Sequence, residues 1–279
     1  MRVLSPKSLD EALHLLASER AAGGGVRPIA GGTDLLVSWH HQPKDDLTLL
    51  DLSGLREQLR PYRLTDDYLE LGALTTYWEI VQARDVAAAF PLLAQAAQQV
   101  GAVQIQTRGT WAGNIGNGSP AADGVLALLA YAAVVVLQSE AGQEEVPLDD
   151  YFTGYKQTRR QPDQLLVAIR IPRRLRALEW FHKVGARAAQ AISKVGVAVV
   201  KDDAGWRVAA NSVAPYVCRC RSVETALEGG RRFRAPREIR RVLEADVAPI
   251  DDIRSTAEYR ITVLSRLLYF WLLEQGLAD

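Results

Sequence analysis

The sequence predicts an α+β protein with two domains. Helical and strand-like patterns alternate along its 279 residues, a length at which a chain commonly divides into two hydrophobic cores. Hydrophobic residues make up 48% and charged residues 24%, which is typical of a folded globular chain. The composition changes after Pro172, where three arginines within four positions indicate a linker or a sheet edge. We therefore expect a larger domain over 1–172 and a smaller α+β domain over 173–279.

Charge and cysteine content exclude several classes of protein. Basic and acidic residues number 33 each, so the chain has no global field that would concentrate nucleic acid or an anionic membrane. Its two cysteines exclude a disulfide scaffold, and they exclude an iron–sulfur cluster held by this chain alone. The N-terminal segment carries Asp10 and Glu11, and no apolar run approaches the length of a membrane span. We expect a cytoplasmic protein without a signal peptide.

Start and stop signals define the elements of the first hundred residues. The sequence from Ser8 to Glu11 predicts a capping box, opening a helix that runs to about Ala22. Thr76 to Glu79 predicts a second box and a helix to about Arg84, and Pro91 suits the first turn of another. Strands are expected at Val26 to Ala30, Leu47 to Leu52 and Tyr68 to Ala73, with a short helix at Leu35 to Trp39.

The next segment, Gly101 to Gly124, is rich in glycine and asparagine and predicts a long irregular loop. Ser255 to Glu258 predicts a third capping box, for a long helix ending near Gln275. The remaining apolar patterns predict helices at Val125 to Leu129, Ser222 to Leu227 and Pro236 to Glu244, and strands at Val134 to Gln138, Leu165 to Ile171, Val195 to Lys201 and Trp206 to Ala210.

The first candidate site is the motif Ala30-Gly31-Gly32-Thr33-Asp34-Leu35, which follows a predicted strand. Adjacent glycines allow a backbone to approach a ligand closely, and successive free N–H groups form a nest for an anion. Thr33 adds a hydroxyl. The alternative is an ordinary tight turn in which Thr33 or Asp34 caps the next helix.

The second candidate site runs from Thr107 to Asp123 and combines small residues with Thr, Asn and Ser. Backbone N–H groups, hydroxyls and amides with little bulk suit a phosphate or a ribityl chain, and Asp123 suits a ribose diol. The alternatives are an irregular surface loop and, for Asp123, a cap on the helix from Val125. Neither segment is a Rossmann fingerprint or a P-loop.

Together, AGGTDL and TWAGNIGNGSPAAD resemble the two FAD-binding segments of the flavoprotein (medium) subunit of the xanthine dehydrogenase and carbon monoxide dehydrogenase family. Further landmarks follow in the family's order: Tyr151 to Thr158, Leu165 to Pro172, Phe181-His182-Lys183 with Arg187, and Ser255 to Arg260. The resemblance covers essentially the whole chain.

The resemblance implies a fold and a division of labour among subunits. The N-terminal domain would be the two-subdomain FAD-binding fold of the p-cresol methylhydroxylase type, with subdomains of about 1–53 and 54–172. The C-terminal domain would be a small antiparallel sheet with helices. A large subunit would hold molybdopterin and hydroxylate the substrate, and a small subunit would carry two [2Fe–2S] clusters. This chain would hold FAD, contribute no catalytic side chain, and pass electrons to NAD⁺ or another acceptor.

The resemblance also assigns the cofactor contacts. Gly31, Gly32, Thr33 and Asp34, flanked by Ala30 and Leu35, would line the pyrophosphate and ribityl side. The second segment would bind the pyrophosphate and the flavin end through Thr110, Gly113, Asn114 and Asn117. The remaining contacts would be Asp123 at the adenosine ribose, Leu166 near adenine, and Lys183 and Ile192 near the isoalloxazine.

The second segment departs from the family pattern at several positions. Ala112 replaces a glycine, Trp111 replaces a small aliphatic residue, and Gln106 and Thr107 stand where Arg-Asn is common. These departures keep open a scaffold subunit that has lost its cofactor. A stand-alone FAD oxidoreductase of the same fold is a separate alternative.

Overall fold

The computed structural model describes residues 1–37 and 47–279. The first sheet is parallel and has the order β1-β3-β2. Its strands are β1 (Arg2–Leu4), β2 (Val26–Ile29) and β3 (Thr48–Asp51), and helix α1 (Leu9–Ala21) connects the first two. The strands predicted at Val26 to Ala30 and Leu47 to Leu52 are confirmed. The prediction of a short helix at Leu35 to Trp39 lies partly outside the described residues.

The second sheet is antiparallel and has the order β4-β5-β10-β6-β7. Its strands are β4 (Tyr62–Leu64), β5 (Tyr68–Gly72), β6 (Val134–Ser139), β7 (Gly142–Pro147) and β10 (Leu165–Pro172), and a small hairpin is formed by β8 (Phe152–Gly154) and β9 (Gln157–Thr158). The helices of this region are α2 (Arg56–Leu59), α3 (Tyr77–Gln82), α4 (Arg84–Ala89), α5 (Pro91–Gln99), α6 (Val103–Gln106), α7 (Trp111–Asn117) and α8 (Asp123–Ala130).

The C-terminal domain is an antiparallel sheet with three helices, as predicted. Its strands are β11 (Arg176–Val184), β12 (Val195–Asp202), β13 (Gly205–Asn211) and β14 (Cys218–Arg219), and its helices are α9 (Arg221–Glu228), α10 (Pro236–Leu243) and α11 (Ala257–Glu274). Strand β12 is buried on both faces. Val195, Val197 and Val199 join the core under the C-terminal helices, whereas Ala198 and Val200 join the N-terminal core. This alternation explains the nearly continuous apolar run of the strand.

The predicted helix starts are largely confirmed. Ser8 Oγ accepts a hydrogen bond from Glu11 N, although the Glu11 carboxylate accepts from Lys7 N rather than from Ser8. Thr76 and Glu79 form a complete capping box. The third start was predicted one residue early, because Thr256 rather than Ser255 accepts from the backbone, at Tyr259 N.

The prediction of a long irregular loop over Gly101 to Gly124 was wrong. Helices α6 and α7 lie within it, and α8 begins at Asp123. Helix α7 is capped at both ends. Thr110 Oγ1 accepts a hydrogen bond from Gly113 N at the N-terminus, and Gly118 ends the helix in the left-handed region at φ +59°. Glycines and asparagines between these caps conceal the helix, because they carry no apolar period.

The arginines after Pro172 lead directly into the edge strand β11, in agreement with the sheet-edge alternative, although the extent of the strand to Val184 was not predicted. The Arg176 guanidinium lies over the rings of Phe90 and Tyr131, 4.8 and 4.9 Å from their centroids. This half-buried arginine therefore packs the edge strand against the N-terminal domain. Among the described residues, none of the helices combines the length and apolar character that crossing a bilayer requires.

Candidate cofactor-binding cleft

A cleft opens between the end of β2, helix α7 and the start of β10. Of the fourteen residues predicted for cofactor binding, eleven line it, and Asp123, Lys183 and Ile192 do not. The eleven are Ala30, Gly31, Gly32, Thr33, Asp34, Leu35, Thr110, Gly113, Asn114, Asn117 and Leu166. The two glycine-bearing segments, which are far apart in the sequence, thus line the same cleft.

The two adjacent glycines of the first segment serve different purposes. A Cβ on Gly31 would lie 2.0 Å from the carbonyl oxygen of Arg108, so the backbones of the two segments are in contact there. Gly32 has φ +72°, a conformation that favours glycine. The first glycine therefore brings the segments together, and the second makes the turn that follows β2.

The departures from the family pattern are accommodated by helix α7. Ala112 lies inside the helix with a negative φ and lines the cleft, so its methyl group causes no backbone strain. Trp111 is fully buried on the other side, with its ring 4.8 Å from that of Tyr77. Buried Gln106 donates from Nε2 to the carbonyls of Gln98 and Val100, which ties α6 to the end of α5.

Gly116 is a cleft residue that sequence reasoning missed. A helical glycine costs about 1 kcal/mol relative to alanine. A Cβ at Gly116 would meet no atom within 4 Å, so packing within the chain does not require glycine here. The position instead leaves open space at the cleft wall. Its signal was present in the repeated glycines of AGNIG, of which only Gly113 was predicted to contact the cofactor.

Tyr77 is a second cleft residue that was missed, since it was interpreted only as part of a helix start. Its side chain is buried, and its hydroxyl has no hydrogen-bond partner among the described residues. The hydroxyl lies beside Gly124, where a side-chain Cβ in place of the glycine hydrogen would be 2.8 Å from it. Burial, and then the charges of Asp123 and Asp34, raise the pKa of Tyr77 well above its usual value. The phenol therefore stays protonated and keeps a hydrogen to donate.

Among the residues that the structure describes, three charged ones line the cleft: Arg27, Asp34 and Arg160. Desolvation raises the pKa of the Asp34 carboxyl, and the positive charge of Lys156 opposes that shift. Burial lowers the pKa of the Arg160 guanidinium. The rest of the lining is uncharged, with backbone, hydroxyl and amide groups between apolar side chains.

Asp123 lies behind the cleft, in a buried polar cluster. Its Oδ2 is 2.7 Å from Lys183 Nζ, and its Oδ1 accepts from Ser193 Oγ at 2.6 Å and from Asn211 Nδ2 at 3.0 Å. Lys183 Nζ also donates to the carbonyl of Gln99. The alternative role of Asp123 as a helix cap is wrong, because Ala122 occupies the N-cap of α8 and no side chain caps it.

Ile192 lies in the turn between β11 and β12, and 56% of its surface is exposed. The structure thus divides the predicted contacts into a cleft group, a buried cluster and one exposed side chain. Contact of Asp123, Lys183 and Ile192 with a cofactor stays a prediction.

Comparison with known proteins identifies the two domains. Residues 1–174 match the family described as the FAD binding domain in molybdopterin dehydrogenase, and residues 180–275 match the CO dehydrogenase flavoprotein C-terminal domain. The chain is 30% identical to the putative xanthine dehydrogenase FAD-binding subunit of Escherichia coli over 93% of its length and 90% of that protein. It is 28% identical to the carbon monoxide dehydrogenase medium chain of Hydrogenophaga pseudoflava, over 95% of this chain and 93% of that one.

The fold matches solved structures equally well. A structure of carbon monoxide dehydrogenase from Hydrogenophaga pseudoflava superposes with a TM-score of 0.87 at 27% identity, covering 100% of this chain and 98% of that one. The enzyme from Oligotropha carboxidovorans gives a TM-score of 0.84 at 25% identity, covering 97% and 95% of the two chains. The chain therefore belongs to the family of FAD-binding flavoprotein subunits of the molybdopterin dehydrogenases, a family of oxidoreductases.

Proposed function

We propose that this chain is the electron-transfer subunit of a heteromeric molybdenum hydroxylase, with FAD held in the cleft between β2, α7 and β10. One observation carries the proposal. The two glycine-bearing segments line the same cleft and touch through their backbones at Gly31 and Arg108. This contact holds the two segments side by side at one cleft, where their backbone N–H groups together would bind a dinucleotide pyrophosphate.

The residues present suit FAD by three physical criteria. Most of the lining is uncharged and polar or apolar, which matches a cofactor with a ribityl chain and two ring systems. Gly116 leaves room that no side chain of the described protein fills. The buried hydroxyl of Tyr77 lacks a partner, and an unsatisfied buried donor costs about 1–3 kcal/mol unless a ligand or water satisfies it.

Each part of the chain then has a defined task. The backbone at Gly31 and Gly32, with Thr33, Gly113 and Asn114, would hold the pyrophosphate and the ribityl chain. Leu166 would provide apolar contact near the adenine, and Lys183 and Ile192 would lie toward the isoalloxazine. Because Asp123 Oδ2 is 2.7 Å from Lys183 Nζ, Asp123 would then lie at this same end of an extended FAD rather than at the adenosine ribose. Bound FAD would supply a redox group that exchanges electrons singly or in pairs. The chain's own residues bind, orient and shield this group, and none need act as general acid or base.

The proposed function also includes partner subunits and an electron acceptor. We propose that the chain takes electrons from [2Fe–2S] clusters of a small subunit, while a large molybdopterin subunit hydroxylates the substrate, and that NAD⁺ or another acceptor receives the electrons. Relatives carry names such as medium chain and FAD-binding subunit, which supports a heterotrimer. The chain's two cysteines require any cluster to reside elsewhere. We also propose a cytoplasmic location and a domain boundary near residue 172.

The absorption spectrum of the purified full chain tests cofactor binding. We expect a yellow protein with flavin bands that free FAD restores after stripping. A protein that stays colourless when incubated with FAD would favour the scaffold function. Co-purification from the native source tests the assembly: we expect an iron–sulfur subunit and a larger molybdenum subunit. A single subunit with full oxidoreductase activity would instead favour the stand-alone enzyme.

A further inference from the structure

Arg160 is a cleft residue that neither the motifs nor the resemblance assigned. It lies in the segment between β9 and β10, just before Leu165 and Leu166, which line the same cleft. Its guanidinium is half-buried, and burial lowers its pKa. No carboxylate among the described residues forms an ion pair with it: the negative charge of Asp163 opposes the lowering of the Arg160 pKa, but Asp163 pairs with Arg20.

The hydrogen bonds of Arg160 leave part of the guanidinium unused. Nη1 donates to the carbonyl oxygens of Gln161, at 3.1 Å, and Gln164, at 2.6 Å. A guanidinium has five N–H donors, so the Nε–H and both Nη2–H groups keep no acceptor within the described protein. These remaining donors form the fork that binds a phosphate through two parallel hydrogen bonds.

The loop that carries Arg160 is held in place by its own hydrogen bonds. Gln161 N donates to Gln164 Oε1 at 2.8 Å, and Gln164 Nε2 donates to Glu144 Oε2 at 2.8 Å. The two carbonyls that accept from Nη1 belong to these same glutamines. The Arg160 guanidinium is therefore held through Nη1, while Nε and Nη2 stay available to bind a ligand.

We propose that Arg160 binds a phosphate group of the nucleotide in the cleft, and so selects phosphorylated over unphosphorylated ligands. The inference rests on the proposed cleft function and extends it. A partly desolvated cation without a paired carboxylate is unfavourable, and an anion arriving in the cleft reduces that cost. Of the charged cleft residues that the structure describes, only Asp34 is acidic, and it forms no ion pair with Arg160.

The experiment compares Arg160→Met with Arg159→Met in the flavin-stripped full chain. Arg159 is the exposed neighbour, so both variants lose one positive charge from the same loop. Binding of FAD, AMP and adenosine is measured for each by calorimetry. We expect Arg160→Met to weaken FAD and AMP by roughly ten- to hundredfold while adenosine is unchanged, since a charge-assisted contact is lost. Arg159→Met should behave as the unmodified protein.

Two outcomes would overturn the proposal. If Arg160→Met weakens AMP and adenosine equally, Arg160 only supports the loop. If Arg160→Met and Arg159→Met bind AMP equally well, the lost donor does not contact phosphate. Failure of the unmodified chain to bind FAD, with AMP still bound through Arg160, would reject the FAD function and keep this inference.

Discussion

Asp123 and Lys183 form an ion pair of 2.7 Å that joins the two domains from within. Both side chains are almost fully buried, at 8% and 6% exposure. Asp123 opens helix α8 of the N-terminal domain, and Lys183 lies on strand β11 of the C-terminal sheet. Ser193, in the turn between β11 and β12, and Asn211, on β13, complete the cluster. The carboxylate is therefore a structural contact between domains, whatever further role it has toward the cofactor.

Breaking this pair should destabilise the protein. Removing one partner of a buried ion pair leaves an uncompensated charge, so we expect Lys183→Met to lower the free energy of unfolding by about 3 kcal/mol. The measurement is denaturant unfolding followed by circular dichroism. Adding Asp123→Asn to Lys183→Met should restore part of the loss, because both charges are then absent. A double variant as unstable as the sum of the two single variants would contradict the pairing.

Gly31→Ala should disrupt the contact between the two glycine-bearing segments. The new Cβ would meet the Arg108 carbonyl at 2.0 Å, a distance that forces the backbones apart. We expect loss of stability and loss of FAD binding, read from thermal melting and flavin absorbance. Gly25→Ala is the matched control, because its Cβ meets no atom within 4 Å and its φ is not positive. Equal flavin occupancy in both variants would show that the contact is dispensable.

Gly116→Ala separates stability from binding. Alanine is better than glycine in a helix by about 1 kcal/mol, so the flavin-free variant should be more stable than the unmodified protein. Its methyl group would occupy open space at the cleft wall and should weaken FAD by roughly tenfold, or 1.4 kcal/mol. Thermal melting of the flavin-free protein and titration with FAD measure the two effects. Higher stability with unchanged affinity would place Gly116 outside the binding surface.

Tyr77→Phe tests the unpartnered hydroxyl. Removing a buried donor that no described residue satisfies should leave the flavin-free protein equally stable or more stable by about 1 kcal/mol. If the hydroxyl donates to the cofactor, FAD affinity falls by roughly tenfold. Both quantities come from the same melting and titration experiments. A less stable flavin-free protein would mean that the hydroxyl has a partner within the fold.

The two thiols should be inert at neutral pH. Burial is the largest cause that raises the pKa of Cys218 to about 12, and burial raises the pKa of Cys220 well above its usual value. Because the thiolate is the reactive form, we expect no alkylation by iodoacetamide at pH 8 in the native protein and two labels after denaturation. Because the thiol pKa values are higher in the folded than in the unfolded protein, the folded state favours the protonated thiols. Their contribution to the free energy of unfolding therefore falls as the pH rises above about 8.5, the thiol pKa in the unfolded chain. Rapid native labelling at pH 8 would contradict the burial.

Much of the local structure could be predicted from the sequence. Ser8, Thr76 and Pro91 mark helix starts because a cap depends on residues only three positions away. Strand β12 was recognisable from its β-branched run. Helix α7 could not be predicted, because its evidence lies in Thr110 and Gly118 at its ends rather than in an apolar period. The extent of strand β11 was hidden by the arginines around its start, of which Arg176 packs on two aromatic rings of the other domain.

The sequence by itself determined the fold class, the two glycine-bearing segments and the family, since these depend on short-range patterns and on the order of motifs. Only the tertiary structure decided that Gly31 packs on the Arg108 carbonyl and that the Tyr77 hydroxyl has no partner among the described residues. The same holds for Arg160, which lines the cleft and has N–H donors without an acceptor in the described part of the chain. The tertiary structure also decided that Asp123 pairs with Lys183, 60 positions along the chain. The physical reason is that the environment of a polar group is set by everything packed around it, and residues distant in sequence supply most of that packing.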